Sequence, residues 1–111
     1  MKIGLKFYAL SCFLFFISSS VEANEIQKEN FCRGIYDYAE MVMTNRQNGV
    51  SIKVMFDSLD KTSASVNQKK LNKKYILDAY ERPKYSTKEK QREEINEFSK
   101  DKFMSCLNTL S

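Results

Sequence analysis

"NFCRGIYDYAEMVMTNRQNG", residues 30–49, is a helix written in side chains. At about 100° per residue, Phe31, Cys32, Ile35, Tyr38, Ala39, Val42 and Met43 fall on less than half of the helical wheel. Glu29, Arg33, Asp37, Glu40 and Thr44 fall on the remainder. A segment patterned in this way gains stability by burying one side against other elements. The spacing predicts a helix from about Glu25 to Asn48, ended by Gly49 in the left-handed conformation that glycine adopts without penalty. It also places a cysteine in the middle of the buried stripe.

Beyond Gly49 the same period continues. Ser51 is a good N-cap, and Ile52, Met55, Phe56 and Leu59 repeat at helical spacing, so a second helix follows the first after a very short turn. The Ser- and Thr-rich stretch from Asp60 to Asn67 reads as a loop. A third helix, from about Val66 to Glu81, turns Leu71, Tyr75, Ile76 and Ala79 inward. It stops ahead of Pro83, whose ring disfavours helical geometry in the residue before it. A fourth begins at Ser86 or Thr87, with Ser86 and Glu89 spaced as a capping box. Ile95, Phe98, Phe103, Cys106 and Leu110 form its apolar stripe, and its remaining face mixes lysine, arginine and carboxylates. One proline, three glycines and no sustained apolar–polar alternation argue against a sheet. The expected fold class is all-α: a small bundle of four antiparallel helices, closed by one disulfide and preceded by a signal peptide.

The signal is read at the other end of the chain. Lys2 and Lys6 precede an apolar run from Phe7 to Ile17, then three serines, then Val21-Glu22-Ala23. These are the basic start, apolar middle and small-residue end of an export signal cleaved after Ala23. A spanning helix needs about 20 apolar residues, which this run does not supply. Leu10-Ser11-Cys12 looks like a lipoprotein site but leaves almost no apolar run ahead of it. The expected division is therefore residues 1–23 as signal peptide and residues 24–111 as one helical domain. Of the three cysteines, Cys12 departs with the signal, and Cys32 and Cys106 remain. Two cysteines in a small exported domain are expected to pair. Both sit on inward faces, so antiparallel first and last helices would bring them within reach.

Composition narrows the chemistry. A net charge of +4 is too mild to suggest a nucleic-acid binder. The chain has no histidine, which removes the commonest general base and metal ligand and every Ser-His or Cys-His nucleophile pair. No glycine-rich phosphate loop and no metal motif is present. Glu93 and Glu94 lie among lysines and arginine on an exposed face, where a solvated surface is the simpler reading. Neither catalysis, a cofactor nor a metal is expected.

Three candidate binding elements remain. Arg46 lies on the apolar side of the first helix, where it either serves a binding role or satisfies the last carbonyls, or pairs with Asp57 or Asp78. Tyr80, Arg82 and Tyr85 surround the only proline, in "AYERPKY" at residues 79–85. Tyrosine and arginine are enriched at protein interfaces, though these side chains could equally pack the junction of the third and fourth helices. Lys69, Lys70, Lys73 and Lys74 share one side of the third helix, facing an anionic surface or simply solvent.

The pattern formed by Cys32, "YAEMVMTNRQNG", "ILDAYERPKYST", a later Ile and Phe, and a final Cys106 resembles a group of small exported helical proteins of Gram-negative bacteria and their prophages. The resemblance runs from Cys32 to Cys106 and brings no activity with it. It implies a periplasmic address, a helical fold and a Cys32–Cys106 bond. The function expected is a small periplasmic binding protein, an inhibitor or immunity-type protective factor that meets a protein partner in the cell envelope. The alternative is an envelope or prophage lysis-control factor that meets an anionic membrane surface through the lysine stripe.

Overall fold

A computed structural model describes residues 2–110, with side chains from residue 24 onward. The export signal read at residues 1–23 lies outside the described side chains. Four helices and no strand occur among the described residues: α1 (Lys2–Gln47), α2 (Ile52–Asp60), α3 (Val66–Glu81) and α4 (Lys88–Leu110). The chain divides into two compact units, Met1–Phe31 and Cys32–Ser111, the second of which holds the core.

Local chemistry sets the ends of these helices. The Val50 N–H donates to the Asn45 carbonyl at 3.0 Å and the Gly49 N–H to the Arg46 carbonyl at 3.1 Å. This is the paired pattern of a Schellman cap, with Gly49 at φ 83°. A Cβ at position 49 would be strained by that φ and would also meet the Lys84 ammonium. Ser51 caps α2 by accepting from the Val54 N–H, and Ser65 caps α3 by accepting from the Gln68 N–H. At α4 the cap is Thr87, whose hydroxyl accepts from the Lys90 N–H at 3.3 Å. Of the two starts expected for this helix the structure takes Thr87, and the Ser86–Glu89 capping box is not the arrangement observed. α3 ends at Arg82, which is extended, as its place before Pro83 requires.

Ala39, Val42, Met43, Met55, Leu59, Ile76, Ala79 and Phe98 form one core cluster, with Tyr38, Val50, Phe56, Tyr80 and Ile95 packed against it. All four helices contribute, so the unit is an all-helical bundle. Three residues expected to point inward do not. Phe31, Ile52 and Leu110 are exposed, because each lies at the end of its stripe, where periodicity continues but the packing surface does not. Cys32 is fully buried. Its sulfur lies within disulfide-bonding distance of Cys106, with Cα atoms 5.6 Å apart, an ordinary span for a bridge.

Candidate functional site

The segment from Arg82 to Tyr85, between α3 and α4, is held by side chains from α1 and α4. Gln47, on the last turn of α1, is 2% exposed. Its amide donates to the Pro83 carbonyl at 2.9 Å, and its carbonyl oxygen accepts from the Tyr85 N–H at 2.8 Å. Gln91 of α4 donates to the Tyr85 carbonyl at 2.7 Å. Both backbone polar groups of Tyr85 are therefore satisfied by glutamines, and the turn has little freedom to rearrange.

Arg46 behaves differently from either local expectation. Its Nε and one terminal nitrogen both donate to the Arg82 carbonyl, at 3.2 and 3.1 Å. Its guanidinium lies 5.2 Å from the centre of the Tyr80 ring. The carboxylates proposed as its partners are engaged elsewhere, Asp57 with Lys53 and Asp78 with Lys102. The reason is geometric. An extended Arg82 presents its carbonyl to α1, and a planar fork meets a fixed oxygen there.

Tyr80 donates its hydroxyl to the Val50 carbonyl at 2.6 Å, tying α3 to the turn after α1. Burial pushes this hydroxyl above its ordinary pKa, with the Arg46 charge pulling partly back, so it remains protonated and a donor at neutral pH. Arg82 bridges to α4, pairing with Glu94 at 3.0 Å and Asp101 at 3.1 Å while lying 4.9 Å over the Phe98 ring. Burial opposes its charge, but hydrogen bonds and attraction from Glu94 and Asp101 outweigh that and hold the guanidinium above its ordinary value. Tyr80, Arg82 and Arg46 are thus turned into the molecule. Tyr85 remains partly exposed, its ring bordering an open depression of about 420 Å³ with Lys90, Glu93, Glu94, Asn96 and Glu97.

The four lysines of α3 are not gathered in one place. Lys69 and Lys73 reach back to Asp60, whereas Lys70 and Lys74 face solvent. Among the described residues no cluster of histidine, cysteine, aspartate or glutamate is arranged to hold a metal ion.

Sequence reasoning passed over Gln47 and Gln91. Gln47 had a signal: it follows Ala39 and Met43 at four-residue spacing, a polar side chain continuing a core row. Replacing Gln47 by alanine is expected to destabilise the fold by about 2 kcal/mol, because the Pro83 carbonyl and the Tyr85 N–H lose their partner in a part-buried turn. Urea denaturation reads this directly; a cost under about 0.5 kcal/mol would mean that the turn is held by other contacts.

The chain matches no family model, no curated protein and no solved structure.

Proposed function

We propose that this is a small exported protein of the periplasm that works by binding, as an inhibitor or immunity-type protective factor covering a protein partner in the cell envelope. In this reading residues 1–23 are a cleaved export signal, residues 24–111 are the working domain, and its helices run antiparallel. The observation that carries the proposal is the fixing of the Tyr85 backbone by Gln47 and Gln91 beside an open depression. A partly exposed aromatic ring on a turn already locked in place loses little conformational entropy on binding, which is what an interface anchor needs. Arg46, Tyr80 and Arg82 serve the same contact from behind, by holding that turn.

The test uses protein purified from periplasm as bait against a periplasmic extract, followed by affinity measurement with the captured partner. Tyr85→Ala is expected to weaken the complex by about 2 kcal/mol, roughly thirtyfold, with the unfolding midpoint unchanged. Tyr80 is unsuitable for this purpose, since its loss also removes the bond to Val50. An affinity indifferent to Tyr85→Ala would move the interface elsewhere, and failure to capture any partner would defeat the reading.

A further inference from the structure

The lysines of α3 divide into two pairs with different work. Lys69 donates to the Asp60 carbonyl at 3.1 Å, and Lys73 pairs with the Asp60 carboxylate at 3.1 Å while lying 5.8 Å over the Phe56 ring. These two close the connection between α2 and α3. Lys70 and Lys74 are exposed, and their ammonium groups make no hydrogen bond or ion pair among the described residues. Their side of the helix also carries Val66 and Leu77, which are 74% and 48% exposed. At the helical period Val66, Leu77, Lys70, Glu81 and Lys74 fall within an arc of about 80°. Glu81, at the C-terminal end, is the one carboxylate on that arc; Asp78, just beyond it, is paired with Lys102.

We propose that this outward face of α3 docks reversibly on an anionic phospholipid surface. Its shape is a convex ridge along a single helix, with Val66 and Leu77 about 16 Å apart and two cations between them. A ridge fits a plane better than a pocket. On a bilayer the aliphatic ends enter the headgroup boundary while the lysine stems lie along it and their ammonium groups meet phosphates. Two lysines and two short aliphatic chains give weak attachment that salt screens readily. The surface is separate from the Tyr85 turn, so the two proposals stand or fall independently.

The experiment is cosedimentation of the protein purified from periplasm with vesicles of phosphatidylglycerol and phosphatidylethanolamine, compared with phosphatidylcholine vesicles. The readout is the excess partitioning to the anionic vesicles, which discounts any attachment through apolar residues near the N-terminus. That excess is expected at low salt and to disappear by about 0.5 M NaCl. Lys70→Gln with Lys74→Gln should reduce it about tenfold. Val66→Ser with Leu77→Ser should reduce it with the lysines intact. Lys69→Gln with Lys73→Gln should leave it in place and lower the unfolding midpoint instead. The proposal is overturned by the absence of an anionic excess, by its survival in the Lys70/Lys74 variant, or by its equal loss in a folded Lys69/Lys73 variant. An excess untouched by the Val66/Leu77 variant, together with comparable binding to soluble polyglutamate, would also overturn it and point to an acidic protein.

Discussion

Phe98→Ala is expected to cost about 4 kcal/mol, much of the stability available to a domain this small. Phe98 is fully buried, and its removal opens a cavity where Ala39, Val42, Met43, Ile76 and Ala79 belong to the same cluster. The ring does more than fill space. Arg82 lies 4.9 Å and Lys102 5.3 Å from its centre, so two cations that also pair with Glu94, Asp101 and Asp78 use its faces. Each such contact contributes about 0.5–2 kcal/mol when partly desolvated. Phe98→Leu separates the two effects. It keeps most of the volume and loses the π system, so about 1–2 kcal/mol is expected from urea midpoints at constant slope. A cost below about 1 kcal/mol for Phe98→Ala would remove this ring from the centre of the fold.

Reducing the Cys32–Cys106 pair, or replacing both by serine, is expected to cost about 4 kcal/mol. The two positions are separated by 74 residues, and a link across so long a loop removes much of the freedom of the unfolded chain. For a domain of this size the loss corresponds to a fall in thermal midpoint on the order of 20 °C. Cys32 is fully buried while Cys106 is only partly so, and a reducing thiolate should therefore attack at the Cys106 side. Mass spectrometry after alkylation without reductant should leave both sulfurs unmodified. If both were alkylated, or if reduction left the midpoint in place, the pair would not be the closure assigned to it.

The candidate site was only partly readable beforehand. "AYERPKY" gathers two tyrosines, an arginine and a proline in one short stretch, and the structure places all of them at one junction. Their roles were not in the pattern. Arg46 donates to a carbonyl 36 residues away, and Gln47 reaches groups 36 and 38 residues away. No local period encodes such distances. The lysine stripe shows the same gap: four residues that look alike on a wheel are divided by the position of Asp60, the last residue of α2.

Stereochemistry acting over a turn or two was enough to place several features. Glycine alone accepts the backbone at Gly49 without strain, serine offers an oxygen to the orphan amides at Ser51, and the ring of Pro83 halts α3. The apolar period likewise marked Cys32, Ala39, Val42 and Met43 as interior. What needed the folded chain was the extent of each buried face, which left Phe31 and Ile52 outside, and the choice of partner for every long polar side chain. Those outcomes depend on where distant backbone carbonyls and carboxylates come to rest, because a buried donor is stable only beside an acceptor that packing has already put in position.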